Sequence, residues 1–200
     1  MSAPWSPLLQ WWFGSAESPS EVAREKNGLW FGKKQSQDAD AQQRFGDLVN
    51  QALAGELADW TESPQGWLAL VLLLDQLPRM IFRDTPQSFS GDKRAQQVVS
   101  DGLKREHDVA LPPLQRTFIY LVLEHTESLQ AQDEAVSRFT SLISLLPESE
   151  RAYLTQTLDY AKKHRVVIEQ FGRFPHRNEV LGRESTQEEM AFLKKPGSRF

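Results

Sequence analysis

An apolar run from Trp67 to Leu74 has to lie in the interior of this protein. It belongs to the longer segment WLALVLLLDQLPRMIFR, residues 67–83, and it is apolar on all sides when drawn as a helix. A strand is the competing interpretation of VLLLD, but its neighbours show no alternation of apolar and polar residues, and the run is rich in Leu and Ala. We therefore predict a helix that runs through the middle of the fold.

Apolar residues recur at helical spacing in the rest of the chain as well. Residues 38–55, DADAQQRFGDLVNQALAG, carry one apolar stripe, for which Asp38 is the expected start and Gly55 the expected end. Pro112 and Pro113 favour the first turn of a helix over LQRTFIYLVLEH, because a proline there gives up a donor that would be unpaired anyway. Further helices are predicted over residues 92–107, over 136–146, from about 149 to 171, and after a capping-box pattern formed by Ser185 or Thr186 with Glu188 or Glu189.

The fold class that follows is all-α, with roughly eight or nine helices by this count, because no alternating strands joined by tight turns are visible. Short links predict antiparallel helix pairs, arranged as an irregular bundle or as a superhelix of helix hairpins. No self-similar period of about 34 residues is visible, so a tandem-repeat solenoid is not indicated. The 200 residues are expected to form one domain, residues 1–200.

Charge and composition exclude several classes of function. The formal charge of −4 disfavours general binding to nucleic acid or to anionic lipid surfaces. The absence of cysteine excludes disulfides, thiolate nucleophiles and zinc sites of the cysteine type. The longest apolar run is too short to span a membrane, and the N-terminus lacks a positive leader and a cleavage site, so we expect a cytoplasmic location.

A group of polar residues, Asp75, Gln76, Arg79 and Arg83, follows directly on the apolar helix. The spacing of four between Asp75, Arg79 and Arg83 would bring them along one face of a continuous helix. Pro78 removes a backbone donor, so we expect a kink or a break that leaves carbonyl groups free beside Asp75. Asp75 is then either part of a functional site or a buried carboxylate satisfied by an arginine.

Two other segments carry titratable groups beside apolar helices. In EHTES, residues 124–128, His125 and Glu127 are two apart, so only a helix end would let both point to one place; a solvated helix terminus is the alternative. His164 follows Tyr160 by four residues beside an apolar stripe, where a hydrogen-bonded core histidine is the alternative to a catalytic one.

The C-terminal polar stretch, FGRFPHRNEVLGREST at residues 171–186, follows neither a helical nor a strand period. Its candidate residues are Arg173, His176, Arg177, Asn178 and Arg183. Arginine forks suit carboxylates and phosphates, and three of them in a glycine-interrupted loop can converge on one anion. Alternatively, Arg173 and Arg177 pair with the acids at the ends of the central helices and pin the loop to them.

Neither a metal site nor a cofactor is predicted. A metal site built from the histidines and Glu127 would need three separate segments and would be surrounded by arginines that repel a cation. Phosphate loops, glycine fingerprints for nucleotides and a GxSxG elbow are absent from the sequence.

Four strings carry a family resemblance: ELADW (56–60), GWLALVLLLDQLPRMIFRDTPQSF (66–89), EHTE (124–127) and YAKKHRVVIEQFGRFPHRNEVLGREST (160–186). Their order and separation closely resemble a bacterial family of unknown function, DUF924, over nearly the whole chain. The family's motif positions correspond to Asp75, Gln76, Pro78, Arg79, Arg83, His125, Glu127, His164, Phe171, Gly172, Arg173, Phe174, Pro175, His176, Arg177, Asn178, Leu181, Gly182 and Arg183.

The resemblance implies a tetratricopeptide-like (TPR-like) fold of antiparallel helix pairs in a right-handed superhelix, without recognisable repeats, and it implies no function. The chain departs from the family pattern at three positions. Val122 stands in place of a proline, Ser128 in place of an acidic residue, and Leu77 in place of an aromatic one. The change at Leu77 should alter packing more than chemistry.

Two hypotheses about function follow. The first is a pocket for a small anion, phosphate or carboxylate, that acts in binding or catalysis. Its catalytic candidates are His125, Glu127, His164 and His176, and its ligand-binding candidates are Asp75, Gln76, Arg79, Arg83, Arg173, Arg177, Asn178 and Arg183. The second is a helical scaffold for a peptide or protein partner, in which the polar residues form a structural clasp. The hydrogen bonds of the arginines distinguish the two hypotheses. Either every arginine is paired with a protein carboxylate, or some arginine donors remain for a ligand.

Overall fold

A computed structural model describes residues 2–16 and 18–199, and within these ranges the protein is helical with no strand. The helices are α1 (Ser6–Phe13), α2 (Pro19–Trp30), α3 (Gln35–Ala54), α4 (Pro64–Val71), α5 (Leu77–Ile81), α6 (Asp92–Lys104), α7 (Pro113–Glu124), α8 (Leu129–Ser144), α9 (Arg151–Phe171) and α10 (Gln187–Leu193). Short 3-10 turns lie at Ala58–Glu62, Pro86–Phe89, Glu148–Glu150 and Pro175–Arg177. The all-α prediction is confirmed.

A π-helical turn, Leu72–Gln76, joins α4 to α5 without a break, so the described residues form nine helices if this region counts as one. Helices that follow one another in the chain pack together: α6 on α4, α7 on α6, α8 on α7 and α9 on α8. Because only residues 125–128 separate α7 from α8, the chain has to reverse there and the two helices are antiparallel. None of the described helices combines the length and the apolar character that crossing a membrane requires.

The predicted central helix lies in the interior. Every residue from Trp67 to Leu74 is at most 1% exposed. Helix α4 packs on α6 and α7, and α3 covers the π-helical turn and α5. An apolar surface on all sides of this helix is therefore matched by neighbours on all sides, as its sequence requires.

The region around Pro78 differs from the expected kink or break. The helix continues through Pro78 by way of the π-helical turn, in which the N–H of Leu77 donates to the carbonyl of Leu72, five residues earlier. Pro78 lacks an N–H and cannot donate to the carbonyl of Leu74 in the usual helical way. Gly91 packs against that carbonyl, so closely that a Cβ there would overlap its oxygen. The contact places the start of α6 directly beside Asp75.

Helix ends follow the sequence signals in most places. Gly55 ends α3 and Gly172 ends α9, both in the left-handed conformation that favours glycine. Thr186 and Glu189 form the capping box of α10. The expected cap at Asp38 is wrong, because α3 begins at Gln35 and Asp38 lies in its first turn.

The N-terminal tryptophans belong to the core rather than to an exposed contact surface. Trp12 and Trp30 are buried, and both rings pack against Phe118 of α7, with centroids 5.4 and 4.9 Å from it. Trp5 and Trp11 are partly buried and pack on the same cluster. A second, smaller apolar cluster comprises Val167, Ile168 and Phe174, with Phe171 and Phe192 packed against it, and it fixes the C-terminal polar stretch to α9.

Replacing Gly91 with alanine is expected to lower the free energy of unfolding by about 1–3 kcal/mol, because the new Cβ would collide with backbone that cannot move aside easily. Gly28 in α2 is the matched control, since a Cβ there meets nothing within 4 Å. Gly28→Ala should raise the stability by about 0.5–1 kcal/mol. Urea unfolding of both variants measures the difference; equal effects of the two substitutions would contradict the close contact at Gly91.

Candidate functional site

The carboxylate of Asp75 is the centre of the polar residues in the interior. Its side chain is buried in the π-helical turn and accepts hydrogen bonds from Gln76 Nε2 at 2.6 Å and from Arg79 Nη2 at 3.0 Å. His125 Nδ1 lies 2.8 and 2.9 Å from the two carboxylate oxygens. Burial alone would raise the pKa of Asp75, but the charges of His125 and Arg79 outweigh it and hold this pKa well below its usual value. Asp75 is therefore ionised at neutral pH.

His125 lies at the C-terminal end of α7, whose last residue is Glu124. The helix end does not bring His125 and Glu127 to one place, because Glu127 faces Arg183 while His125 faces Asp75. The Nδ1 atom of His125 faces Asp75, so Nε2 is the nitrogen that remains for another group. An aspartate that orients a histidine in this way is a common arrangement for acid–base chemistry.

Arg79 links Asp75 to a residue that the sequence analysis did not single out, Asp92. A single nitrogen, Nη2, donates to Asp75 at 3.0 Å and to Asp92 Oδ1 at 2.8 Å. Asp92 is the first residue of α6, and Gly91 brings that helix end against the π-helical turn. Phe89, also not predicted, lies below the guanidinium of Arg79, 5.2 Å from ring centroid to Cζ.

Arg177 is the most buried arginine of the C-terminal polar stretch. Its side chain is 7% exposed, and its guanidinium lies over the rings of Phe174 and Phe89 at 4.5 and 5.0 Å. The nearest carboxylate oxygen is Asp92 Oδ2, 3.5 Å from Nη1, and Nε has no hydrogen-bond partner among the described residues. Burial and the charge of Arg79 lower the pKa of Arg177 to about 10. Arg177 therefore stays charged at neutral pH, and the carboxylate of Asp92 compensates its positive charge weakly.

His176 lies beside Arg177 and is half-buried. Burial, reinforced by the charge of Arg177, lowers the pKa of His176 to about 3. The ring is therefore neutral at neutral pH. We refer to Asp75, Arg79, Asp92, His125, His176 and Arg177 together as the central cluster.

Glu127 and Arg183 tie the C-terminal polar stretch to the end of α7. Arg183 Nη1 and Nη2 donate to the two oxygens of Glu127 at 2.7 and 3.0 Å, and the N–H of Phe174 donates to the same carboxylate at 2.8 Å. Burial would raise the pKa of Glu127, but these hydrogen bonds lower it below its usual value. All of the carboxylate's strong contacts come from the stretch, which makes Glu127 an anchoring residue.

The remaining arginine of the stretch, Arg173, pairs with Glu189 of α10 at 2.7 and 2.9 Å. Asn178 donates to Ser185 Oγ at 3.0 Å and to Glu189 at 3.3 Å. The Oδ1 atom of Asn178 accepts from Arg183 Nε at 2.9 Å. These contacts fold the stretch onto itself and onto α10, so Arg173 and Asn178 lie outside the central cluster.

His164 also lies outside the central cluster. Its Nδ1 atom is 3.0 Å from Glu124 Oε1 and 2.9 Å from the carbonyl oxygen of Tyr160, and its ring packs edge-on against Phe174. Both His164 and Glu124 are buried, whereas the side chain of Tyr160 is exposed. These contacts are those of a hydrogen-bonded core histidine.

Arg83 does not share a face with Asp75 and Arg79. Helix α5 ends at Ile81, and the Arg83 guanidinium turns to α3, where it makes two hydrogen bonds of 2.8 Å to Asp38. The alternative in which Arg173 and Arg177 pair with the acids at the ends of the central helices, Asp75, Glu124 or Glu127, also differs from the structure. Arg183 pairs with Glu127, Arg173 pairs with Glu189, and Arg177 contacts Asp92.

Two cavities among the described residues lie away from the central cluster. An open groove of about 470 Å³ is lined by residues that include Trp11, Lys26, Gln37 and Asp40, and a much smaller cavity lies between α2, α7 and α9. No group of three or more His, Asp or Glu residues in residues 2–16 and 18–199 has a geometry that could hold a metal ion.

The buried carboxylate of Glu189 predicts a loss of stability in acid. Hydrogen bonds from Arg173 lower the pKa of Glu189 to about 2, against 4.5 for an ordinary glutamate. Because the folded pKa is the lower one, the ionised group stabilises the fold above pH 4.5, and this contribution is lost as the pH falls towards 2. Urea unfolding between pH 7 and pH 3 should show a smaller acid loss in Glu189→Gln than in the wild type. An identical acid loss in the two proteins would contradict the assignment.

Comparisons with known proteins identify the family of this chain. A family model described as a bacterial protein of unknown function, DUF924, matches residues 8–197. The chain is also similar to the solved structure of a protein of unknown function from Agrobacterium tumefaciens, with 34% identity and a TM-score of 0.74, over 88% of this chain and 99% of that one. A search of curated proteins gave no match. The chain therefore belongs to the bacterial protein family DUF924, whose function is unknown.

Proposed function

We propose that this protein binds a small anion, a carboxylate or a phosphate, at Arg177 in the central cluster. The observation that carries the proposal is the incomplete pairing of a buried charge. Arg79, Arg83, Arg173 and Arg183 each donate to a carboxylate at 3.0 Å or less. Arg177, which is more deeply buried than any of these four, has a carboxylate oxygen at 3.5 Å and an Nε without a hydrogen-bond partner among the described residues.

A buried guanidinium without a close counter-charge is costly, because it has lost its water without gaining equivalent hydrogen bonds. An anion that contacts Arg177 at ordinary hydrogen-bond distance would remove this cost. The planar guanidinium presents two parallel N–H donors that suit a carboxylate or a phosphate. The rings of Phe89 and Phe174 hold it in a fixed plane, so little freedom remains to be lost on binding.

Two histidines of the central cluster suit such a ligand. His125 has Nδ1 committed to Asp75 and Nε2 remaining, so it can give a proton to the ligand or take one from it. His176 is neutral at neutral pH and adds no charge. In an enzyme, His125 would be the acid or base, and Asp75 would position its ring. Glu127 and His164 would act indirectly, by anchoring the segment that carries Arg177.

The second candidate function is a helical scaffold that binds a peptide or protein partner, with the polar residues as a structural clasp. One observation favours it: four of the five candidate arginines are already paired with protein carboxylates. In that case Arg177 would pin the C-terminal polar stretch to Asp92 and would have no ligand.

Thermal unfolding in the presence of anions distinguishes the two functions. The wild type is titrated with acetate, succinate and inorganic phosphate, and Arg177→Met removes the charge while it keeps an apolar chain between the two rings. Arg116→Met is the matched control, since the side chain of Arg116 donates to the backbone carbonyls of Val109 and Leu111 and pairs with no carboxylate of the described residues. Ionic strength is held constant with chloride.

An anion site predicts that at least one of these ions raises the melting temperature of the wild type and of Arg116→Met, but not that of Arg177→Met. Arg177→Lys serves as a second variant in case the methionine variant does not fold. Lysine keeps the positive charge but lacks the two parallel donors of the guanidinium, so the stabilisation by the anion should be reduced rather than abolished. No stabilisation of the wild type by any of the three ions, or equal stabilisation of all variants, would reject the anion site and favour the scaffold.

A further inference from the structure

A protein carboxylate already occupies the position in which an anion would meet Arg177. Asp92 places Oδ1 at 2.8 Å from Arg79 Nη2 and Oδ2 at 3.5 Å from Arg177 Nη1, so one planar group bridges two guanidinium groups. The ring of Phe89 lies against both guanidinium groups, at 5.2 and 5.0 Å from their central carbons, and fixes their spacing. The two donors therefore face one carboxylate-sized position.

We propose that Asp92 is an internal substitute for the ligand, that the ligand displaces it from Arg177, and that the ligand binds through a monoanionic carboxylate. This inference rests on the anion site proposed above. The ligand takes the place of a side chain that can move, so no open pocket is needed beforehand.

Asp92 is weakly held at Arg177, although its other carboxylate oxygen accepts a 2.8 Å hydrogen bond from Arg79. Its contact to Arg177 is longer than a good charge-assisted hydrogen bond, which measures about 2.7–2.9 Å. Burial and the nearby charge of Asp75 raise the pKa of Asp92, although Arg79, Arg177 and His125 lower it. The side chain is 17% exposed, so it has a route to solvent.

The position of Asp92 as the first residue of α6 lowers the free-energy cost of its displacement. A carboxylate in the first turn of a helix is stabilised by the helix dipole and the free N–H groups. No side chain caps this helix, since the preceding residue is Gly91, where a Cβ would overlap the Leu74 carbonyl. Asp92 can therefore turn away from Arg177 and still satisfy the helix terminus.

The charges of the central cluster favour a monoanion. Besides His125, which lies against Asp75, Arg79 and Arg177 supply two positive charges, and Asp75 and Asp92 supply two negative ones. A carboxylate ligand that replaces Asp92 restores the same balance. A phosphate dianion would add a negative charge within reach of Asp75, where the weakly screening interior makes repulsion expensive.

Calorimetric titration of Asp92→Asn with sodium acetate and with inorganic phosphate tests the inference. Asparagine keeps the shape of the side chain and removes the competing charge, so acetate should bind at least about tenfold more tightly than to the wild type, equivalent to about 1.4 kcal/mol. Asp101→Asn on the same helix is the matched control, because Asp101 accepts from Gln97 and Lys104 on the surface. It should bind acetate as the wild type does.

Asp92→Glu provides a second variant that keeps the charge, and it should bind acetate no more tightly than the wild type. If the wild type binds acetate but Asp92→Asn binds it equally or more weakly, Asp92 is not a substitute ligand, and the anion site itself stands. If phosphate binds the wild type more tightly than acetate does, the carboxylate class is wrong. If no variant binds either ion, both the inference and the anion site fail.

Discussion

Asp75→Ala is expected to lower the free energy of unfolding by about 3–5 kcal/mol, because breaking a buried ion pair leaves its partners without a counter-charge. Asp75 accepts from Gln76, Arg79 and His125, and its side chain is 1% exposed. Its removal would leave one cation and one titratable ring in the interior. The effect should be measured by urea unfolding at pH 7, at a low protein concentration.

The control for this substitution is Asp133→Ala. Asp133 pairs with Arg165 at 2.6 Å, but its side chain is 55% exposed, so the expected loss is about 0–1 kcal/mol. Asp75→Asn should fall between the two, since the amide keeps the shape and some hydrogen bonds. If Asp75→Ala and Asp133→Ala have equal effects, Asp75 does not hold the centre of this polar network.

Phe174→Ala is expected to destabilise the protein by about 3–5 kcal/mol, as for other large buried aromatic side chains. The ring is fully buried and belongs to the second apolar cluster with Val167 and Ile168. It also packs against His164 and lies beneath Arg177, at 5.4 and 4.5 Å. Its loss should loosen the C-terminal polar stretch before the central helices, because those helices have their own, larger core.

Hydrogen exchange measures this order of events. In Phe174→Ala, amides of the C-terminal polar stretch should lose protection more strongly than those of α4. Phe31→Ala is the control, since Phe31 is 50% exposed and its truncation should change neither the stability nor the exchange substantially. Uniform loss of protection across both regions would show that the stretch is not a separate unit docked on the core.

The helices could be predicted from the sequence because their signals are local. The apolar faces, Gly55, Gly172 and the capping box at Thr186 and Glu189 each act within one or two turns. The helix end at His125 was also predicted, but the convergence of His125 and Glu127 that it would have allowed does not occur. The resemblance to DUF924 added the residues of the C-terminal polar stretch, which has no period of its own.

The pairing of the polar residues could not be predicted in the same way, because it depends on the packing of distant segments. The spacing of four predicted that Arg83 would lie on one helix face with Asp75. Because the helix contains a π-helical turn and α5 ends before Arg83, the side chain of Arg83 pairs with Asp38 instead. Asp92 looked like an ordinary acidic residue at the start of a helix. Its importance depends on Gly91, which fits against the carbonyl that Pro78 leaves without its usual donor, and no local pattern signals that contact.

In the proposed function the guanidinium of Arg177 receives an anion, and the Nε–H resonance of that side chain reports on this contact directly. A proton–nitrogen NMR spectrum identifies the signal by its absence in Arg177→Lys, and the wild type is then titrated with sodium acetate at constant ionic strength. We expect the Arg177 signal to shift and saturate while that of Arg116, which bonds only carbonyl oxygens, stays in place. An Arg177 signal that does not move at any acetate concentration, in a protein that remains folded, would contradict the account.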